Sequence, residues 1–382
     1  MLSREELEKI FKVAELCKIR LGDISKNEEI KQILESEFLA EFSKELMVDV
    51  TEYPVISEDG GFIEGQIGCY HYTFARSAVL SINKELRTNY LFILYPFFDE
   101  KNITSKLISE LSMKSLEYYM VNKTISEYGP RIVLVDGSIV RDIFRLKEIL
   151  KSEETLSKIL SIDIDPEKEL FDLYIGLLEQ DKIEDFPYLV SRYYYHQLFK
   201  FLDHLLKKNL LVFYFTKRPI GSTTLSELIS EKYGKNIQFR DLEILSSIMG
   251  RKQFITKILD SRAQLSKEFI EKIEKILGSN GQWDIESIIG SLFKDNTMKY
   301  YSVYYRKSGG ERIYKIEMPI IKAFEDPNKK SGLFRLINDM IMNRRFSNYE
   351  GYPNLLDLAH SQASIKKEII PQIEVILWKT LK

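Results

Sequence analysis

Two aspartates, each backed by glycine, are the residues of this sequence best suited to metal-assisted chemistry. Asp136 directly follows the apolar run Ile132–Val135, and Asp59 follows a shorter extended run and precedes Gly60 and Gly61. The carboxyl ends of buried strands are where open α/β sheets usually place their ligands. Either Asp-Gly pair could instead be a turn that only ends a strand. The presence of two similar stretches favours a site.

If the two strands are neighbours, the two carboxylates converge. Two or three converging carboxylates without cysteine or histidine partners suit hard cations such as Mg²⁺ and Mn²⁺. In two-metal sites such ions stabilise the attacking and leaving oxygens of phosphodiester hydrolysis. We therefore expect Mn²⁺ or Mg²⁺, as two ions, at Asp59 and Asp136.

A third carboxylate is expected from the helix that precedes the Asp136 strand. Glu117 is the candidate, and Glu110 and Glu127 on the same helix are its rivals. A glutamate on an amphipathic helix otherwise belongs to a solvated face. The spacing alone leaves this choice open.

The segment GYPNLLDLAHSQASI contains Tyr352 and His360. His360 follows an apolar run, which predicts a position in the first turns of a helix. A lone histidine there is usually a structural hydrogen-bonding group. Near a metal cluster it would bind phosphate, assist a proton transfer or ligate the metal.

Nucleic-acid binding would need local positive charge, because the formal net charge is -2. We therefore expect a narrow basic channel inside a dimer rather than a broad basic surface. Each candidate residue could equally belong to a solvated face or to the core. The candidates are Lys217–Arg218, Arg251–Lys252, Arg344–Arg345 and, for stacking on bases, Tyr193–Tyr195.

The order of predicted elements points to the α/β class, with a mixed five-stranded sheet flanked by helices as in ribonuclease H-like folds. Other α/β folds share this order. It consists of three strands in a meander between residues 51 and 100, a helix over 101–128 stopped by Gly129-Pro130, the strand ending at Asp136, a helical block over 141–207 and a strand at Leu210–Phe215.

The 382 residues, 44% of them hydrophobic, are divided into a helical N-terminal arm over 1–50 and one domain over 51–382. The domain has a core at about 51–220, with residues 141–207 as a helical insertion. The region 221–382 is predicted mostly helical, with a hairpin of Lys299–Arg306 and Arg312–Met318 and a final helix that Pro371 bends or divides.

Several classes of protein are excluded by composition. Only Cys17 and Cys69 occur, so no disulfide framework or zinc ligand set is indicated. No apolar run approaches the ~18 residues of a membrane span. The N-terminus MLSREELEKI does not resemble a signal peptide. These features predict a cytoplasmic protein without a membrane partner.

With these motifs the chain resembles the NurA nuclease family. The early DG motif, the strand ending in DGS, a strand followed by basic Lys217, and the segment GYPNLLDLAH occur in the family's order, from about Val55 to Ile365. The resemblance implies a ribonuclease H-like core and Mn²⁺-dependent cleavage of DNA, as a 5'-3' exonuclease and single-strand endonuclease. It also implies a homodimer that works with the hexameric translocase HerA in DNA-end resection and double-strand break repair.

The resemblance also assigns roles to individual residues. It implies that Asp59 is the first metal ligand and Asp136 the second, with Glu117 between them. Tyr352 and His360 correspond to the tyrosine and histidine of the C-terminal motif.

One departure from the family concerns the first motif, which is EDGG where the family usually has DGS. Gly61 thus replaces a serine. This leaves two alternatives to a DNA nuclease. One is a non-catalytic adaptor that docks a translocase or DNA, and the other is an RNA nuclease of the same fold.

Overall fold

A computed structural model of the chain describes residues 27–43, 49–83, 85–96, 103–217, 219–234, 239–278, 285–307, 312–320 and 327–380. It has a mixed α/β architecture with one large sheet between helices. The strands are β1 (Leu39–Ala40), β2 (Val55–Ile67), β3 (Tyr70–Ser81), β4 (Leu86–Pro96), β5 (Ile132–Asp136), β6 (Leu211–Thr216), β7 (Phe254–Thr256), β8 (Leu259–Gln264), β9 (Thr297–Arg306) and β10 (Tyr314–Pro319).

Helices precede, connect and follow these strands. They are α1 (Glu28–Ile33), α2 (Ser105–Tyr128), α3 (Ile139–Ile149), α4 (Glu153–Ser161), α5 (Leu170–Glu179), α6 (Phe186–Lys208), α7 (Thr224–Tyr233), α8 (Asp241–Met249), α9 (Lys267–Gly278), α10 (Ile285–Leu292), α11 (Pro327–Met342), α12 (Asn354–Ala363) and α13 (Ile370–Thr380). Among the described residues, no helix combines the length and the apolar character that a membrane span requires.

The sheet runs in the order β1-β7-β9-β10-β6-β5-β2-β3-β4, and β8 pairs with β9. Strands β2, β5 and β6 are parallel to one another, and the remaining pairs are antiparallel. The predicted mixed α/β class is therefore confirmed, and the five predicted strands β2–β6 are neighbours. The predicted limit of five strands is wrong, because the β9–β10 hairpin joins β6 and brings β7, β8 and β1 into the same sheet.

Strand β2 is longer than predicted, which changes the position of Asp59. Its parallel pairing with β5 ends where Glu58 meets Val135, while its antiparallel pairing with β3 continues to Ile67. Asp59 therefore lies inside a strand and not at its end. It stands where β2 separates from β5.

The apolar run of β5 faces a hydrophobic core on each side of the sheet, as its unbroken pattern predicts. Val133 and Val135 belong to a cluster that includes α2 and α6. Ile132 and Leu134 belong to a second cluster that includes α11 and α12. Successive side chains at the end of β5 therefore point to opposite faces of the sheet.

Helix α2 ends at Tyr128 as predicted and begins at Ser105, four residues after the predicted start at 101, and local signals set both ends. The Thr104 hydroxyl accepts a hydrogen bond from the amide of Leu107 at 3.2 Å, which caps the helix. Gly129 ends the helix in the left-handed conformation with φ 57°.

The predicted helical block over 141–207 is helical, as α3–α6, but its aromatic residues do not face solvent. Tyr193, Tyr194 and Tyr195 on α6 are fully buried. Their hydroxyl groups donate to backbone carbonyls at 2.8 to 3.2 Å. The expectation that they stack on bases is wrong, because α6 packs in the core on α2.

The two ends of the chain also differ from expectation. Residues 1–26 and 44–48 of the predicted helical arm lie outside the described residues. Within residues 27–43 the arm is helical only in α1 and in a π-helical turn, Leu34–Phe38, which leads into β1. The C-terminal segment is divided, but not at Pro371 as predicted. Helix α12 ends at Ala363, a 3-10 turn follows at Lys367–Ile369, and Pro371 stands in the first turn of α13, where its missing amide hydrogen is tolerated.

Candidate metal centre

Asp59 and Asp136 extend from neighbouring parallel strands on the same face of the sheet. Glu58 pairs with Val135, so the next residues along β2 and β5 are the two aspartates. Side chains alternate between faces along a strand. Asp136 therefore shares its face with Leu134, which belongs to the cluster that contains α12.

Helix α12 brings His360 to this pair from the far end of the sequence. The buried residues Leu355, Leu356 and Ala359 fix the helix against the sheet. The Nδ1 atom of His360 lies 2.6 Å from Oδ2 of Asp59. One possible ligand atom from each of Asp59, Asp136 and His360 lies within 4.8 Å of the others.

The charges of this cluster favour a bound cation. Burial raises the pKa of Asp136, and the neighbouring charge of Asp59 raises it further, although Lys217 opposes this. The hydrogen bond to Asp59 raises the pKa of His360. Two carboxylates held together at a buried edge repel one another until a cation or proton is shared between them.

The donor set fits a hard divalent ion with one nitrogen ligand. Asp59 and Asp136 supply the carboxylate oxygens that Mg²⁺ and Mn²⁺ prefer, and the imidazole of His360 completes the set. The second oxygen of Asp59 accepts a hydrogen bond from the amide of Gly60 at 2.7 Å, which orients the carboxylate.

Glu117 lies on the opposite side of the sheet from this set. Its side chain is buried and ion-paired with Lys114 one turn earlier on α2. The carboxylate occupies the space that a side chain at position 60 would need. Burial raises the pKa of Glu117 and Lys114 lowers it, and with both effects the pKa is about 7. The three-residue group of Asp59, Asp136 and His360 does not include it.

The two rivals of Glu117 are engaged elsewhere. Glu110 lies 3.5 Å from Nε of Arg145, and Glu127 is ion-paired with Arg87. Glu117 is thus the glutamate of α2 that stands nearest to the aspartate pair through its contact with Gly60.

Two charged residues at the centre were not predicted. Glu58 is 1% exposed, and its Oε2 atom has no hydrogen-bond partner among the described residues. Burial and the charge of Glu117 raise its pKa well above the usual value. The Lys114 ammonium donates to the backbone carbonyl of Asp136 at 3.4 Å. The only sequence signals were the adjacency of Glu58 to Asp59 and the helical spacing of Lys114 and Glu117.

Tyr352 and Lys217 line the same face as the aspartates. The Tyr352 ring stacks on Tyr314 at 5.7 Å and meets Phe215 edge-on at 6.0 Å. The Lys217 ammonium lies 4.6 Å from the centre of the Tyr352 ring and 3.1 Å from Oδ2 of Asp136. Lys217 therefore forms the positive edge of the centre.

The Tyr352 hydroxyl is buried without a hydrogen-bond partner among the described residues. Burial raises its pKa well above the usual value, and the charges of Asp136 and Asp59 add to this. The hydroxyl therefore stays protonated and can donate to an acceptor that enters the centre.

The glycine that departs from the family pattern has no room for a side chain. A Cβ atom on Gly61 would lie 2.8 Å from the carbonyl oxygen of Ala363, at the end of α12. The glycine lets the helix that carries His360 approach β2 closely. The close packing of α12 against β2 therefore explains why this chain has glycine at position 61 and not the serine of the family pattern.

The other predicted basic residues are not gathered at the centre. The side chains of Arg251, Lys252, Arg344 and Arg345 are exposed, and Arg218 lies outside the described residues.

Replacing Gly60 by alanine is expected to lower the free energy of unfolding by about 1–3 kcal/mol, the usual effect of overpacking. The added methyl group would displace the Glu117 carboxylate and its ion pair with Lys114. Thermal unfolding without metal measures the effect. Gly176→Ala on α5 is the control, because no atom lies within 4 Å of its new Cβ, and it should not destabilise the chain. Equal melting temperatures for the two variants would contradict this packing.

Binding of Mn²⁺ is expected to weaken as the pH falls, because His360 must lose its proton to become a ligand. Its pKa is raised by Asp59, so the stabilising His360–Asp59 contact is complete below the ordinary histidine pKa and is lost as the pH rises through the raised value. Below that value the affinity should fall about tenfold per pH unit if one proton is displaced.

Electron paramagnetic resonance titrations with Mn²⁺ between pH 6 and pH 8 would measure this dependence. His360→Gln should bind more weakly at pH 8 and with a flatter profile, so that its deficit shrinks as His360 becomes protonated toward pH 6. A steep profile that the substitution leaves unchanged would exclude His360 as the titrating ligand.

Both the sequence and the fold of this chain are similar to those of known proteins. Residues 22–365 match the sequence model of the NurA domain. The NurA nuclease of Sulfolobus solfataricus has a TM-score of 0.59 at 15% identity, covering 99% of this chain and 98% of that chain. NurA bound to dAMP and manganese has a TM-score of 0.60 at 14% identity, with 100% and 98% covered. NurA with manganese has a TM-score of 0.59, also at 14% identity, with 98% of each chain covered. At these identities the structural likeness concerns the fold, and no curated protein matches the sequence.

Proposed function

Because the chain belongs to the NurA family, we propose that it is a metal-dependent nuclease that hydrolyses phosphodiester bonds of DNA. The observation that carries the proposal is the group of Asp59, Asp136 and His360 within 4.8 Å. These residues come from three elements that lie far apart in the sequence. Their carboxylate oxygens and imidazole nitrogen suit a hard divalent ion, and the cysteine sulfurs of common structural zinc sites are not among these ligands.

Manganese is the ion we propose, and magnesium is its alternative. Solved structures of NurA hold manganese, in one case together with dAMP, which supports both the ion and a nucleotide substrate. When bound, the ion would stabilise the negative charge that develops on the phosphate oxygens during hydrolysis. The family resemblance supports Glu117 as a ligand of a second ion, for which its carboxylate would have to leave the ion pair with Lys114.

The protein side chains would orient the phosphate. Lys217 presents its ammonium group beside Asp136 and attracts a phosphate oxygen to the centre. The protonated hydroxyl of Tyr352 would donate a hydrogen bond to the same group. Phe215 and Tyr314 hold the Tyr352 ring in place, so this donor is oriented before the substrate arrives.

The finer assignments follow from the family resemblance. We propose 5'-3' exonuclease and single-strand endonuclease activity, a homodimer, and action with a HerA-type translocase in DNA-end resection and double-strand break repair in the cytoplasm. We also propose a ribonuclease H-like core. The order β4-β3-β2-β5-β6, with its antiparallel meander and parallel centre, supports that core.

End-labelled single-stranded DNA, double-stranded DNA and RNA of the same sequence would test the function. The purified chain should degrade DNA with Mn²⁺ and leave it intact with EDTA. Preferred cleavage of RNA would favour the RNA nuclease. Absence of cleavage, even after a HerA-type translocase is added, would favour the non-catalytic adaptor.

A further inference from the structure

A cavity of about 490 Å³ lies beside the carboxyl ends of β5 and β6, and none of its residues is used by the metal centre. We call it the β5–β6 cavity. Its lining includes Ser138, Arg141, Thr216, Arg262, Lys315 and Glu317. Lys315 and Glu317 alternate along β10 with Tyr314 and Ile316, which face the Tyr352 side. The cavity is therefore on the opposite face of the sheet from Tyr352.

The floor of the cavity is a fixed polar network. Lys315 and Glu317 are each 3% exposed and form an ion pair at 2.9 Å. Glu317 accepts a hydrogen bond from the Ser138 hydroxyl at 2.6 Å, and Lys315 donates to the Ser222 hydroxyl at 3.0 Å. Burying an ion pair costs desolvation free energy, and additional hydrogen bonds offset it. These bonds hold the floor's donors and acceptors in one arrangement.

The rim of the cavity carries two arginines and an apolar wall, together with one exposed carboxylate, Glu227, which accepts a hydrogen bond from the Thr223 hydroxyl. The side chains of Arg141 and Arg262 are exposed, and neither forms an ion pair within the part of the chain that the structure describes. Phe144 and Ile220 also line the cavity, and Ile220 is 71% exposed. An apolar wall, a polar floor and free guanidinium groups together suit a base, a sugar and a phosphate.

The cavity is joined to the metal centre by a short, fixed piece of backbone. Ser138 in the cavity follows Asp136 by two residues, so their Cα atoms are at most about 7.6 Å apart. The intervening Gly137 has φ 143°, and its carbonyl accepts a hydrogen bond from Thr216 at 2.6 Å. Thr216 lines the cavity, while the next residue, Lys217, contacts Asp136. A single strand that crosses this edge can contact both places.

We propose that the β5–β6 cavity binds the nucleotide that adjoins the scissile phosphate of single-stranded DNA. The base enters beside Phe144 and Ile220, and Arg141 and Arg262 bind the next phosphate. This inference rests on the proposed nuclease function. It gives that function a nucleotide-binding site on the other face of the sheet from His360.

The double variant Arg141→Glu/Arg262→Glu tests the cavity without disturbing buried contacts. Its control is Arg131→Glu/Arg335→Glu, which makes the same charge change at two exposed arginines. Arg131 directly precedes β5 and so lies at the amino end of this strand, whereas the cavity lies beside its carboxyl end. Fluorescence anisotropy with a labelled decathymidylate in EDTA measures binding without cleavage, and assays with Mn²⁺ measure kcat and KM.

The cavity variant should bind at least about tenfold more weakly than the control, as expected for loss of arginine contacts. Its KM should rise by a similar factor while kcat stays within about twofold, because the metal ligands are intact. Arg141→Lys/Arg262→Lys should recover part of the affinity. A 4-thiothymidine next to the cleaved linkage should cross-link to the peptide that contains Phe144 or Ile220.

Equal binding by the cavity variant and the control would overturn the proposal, as would a wild-type chain that does not bind the strand. The nuclease function fails in a different way. In that case the wild-type chain binds the strand through Arg141 and Arg262, and no cleavage follows with Mn²⁺. Cleavage with an unchanged KM in the cavity variant would exclude nucleotide binding in the cavity and would still support the nuclease function.

Discussion

Replacing Asp136 by asparagine is expected to lower the cleavage rate by about 10³-fold or more, because a metal contributes several kcal/mol of transition-state stabilisation. Asparagine keeps the shape of the side chain but removes the charge that holds the ion. Asp136 contributes one of the three clustered ligand atoms. Binding of Mn²⁺, measured by calorimetry, should be lost together with activity.

The same substitution is not expected to unfold the chain. The pKa of Asp136 is raised by burial and by Asp59, so stability from this group is complete below its unfolded pKa and is lost as the pH rises through the folded value. A neutral asparagine avoids that loss at pH 8, although Lys217 loses its ion pair. The melting temperature without metal should therefore remain near that of the wild type, and only the wild type should gain stability from Mn²⁺.

Asp172→Asn, at an exposed position on α5, is the matched control. It should cleave and bind Mn²⁺ like the wild type. Equal cleavage by Asp136→Asn and the wild type would mean that the activity comes from a contaminant or from another part of the chain.

Replacing Lys114 by methionine is expected to lower the free energy of unfolding by about 3–5 kcal/mol at pH 8, the usual effect of breaking a buried ion pair. The Lys114 ammonium is ion-paired with Glu117, and its positive charge opposes the raised pKa of Glu58. Without it, nothing opposes the raised pKa values of the two buried carboxyl groups, so keeping them ionised or protonating them at pH 8 costs free energy. Urea unfolding in EDTA at pH 6 and pH 8 would measure the effect.

The pH dependence of this loss distinguishes charge from packing. The pKa of Glu117 is about 7 even beside Lys114. Glu117 therefore becomes protonated as the pH falls, and the deficit should shrink between pH 8 and pH 6. The double variant Lys114→Met/Glu117→Gln should recover much of the stability at pH 8, since both charges are then removed.

Lys123→Met is the control for this experiment, because Lys123 is an exposed lysine on the same helix. It should change stability by no more than about 0.5 kcal/mol. A loss in Lys114→Met that is the same at both pH values, and that Glu117→Gln does not relieve, would show that packing and not charge is responsible.

Local signals in the sequence determined several elements correctly. The unbroken apolar run of β5 predicted a strand buried on both faces, and Gly129-Pro130 marked the end of α2. These signals depend on only a few neighbouring residues, and they retain their meaning in any fold. The glycine after Asp59 is explained by tertiary packing and not by a local signal. Gly60 makes room for the side chain of Glu117, which belongs to α2.

Short strands were missed where pairing partners decide the conformation. Strand β8 alternates between buried and exposed positions, but its buried positions are Leu259, Ser261 and Ala263, only one of which is large and apolar. Its register with β9 supplies the hydrogen bonds that make it a strand. The number of strands in the sheet therefore could not be counted from the sequence.

For the metal centre, the sequence by itself determined the kind of chemistry through two aspartates after extended runs, backed by glycine. Tertiary structure decided the rest, because α12 brings His360 to Asp59 across 301 residues. It also decided that Glu58 and Lys114 are buried charges and that Tyr193–Tyr195 are core residues. The physical reason is that burial and convergence depend on which elements pack against each other, whereas a residue's chemistry and its local conformation are already present in the sequence.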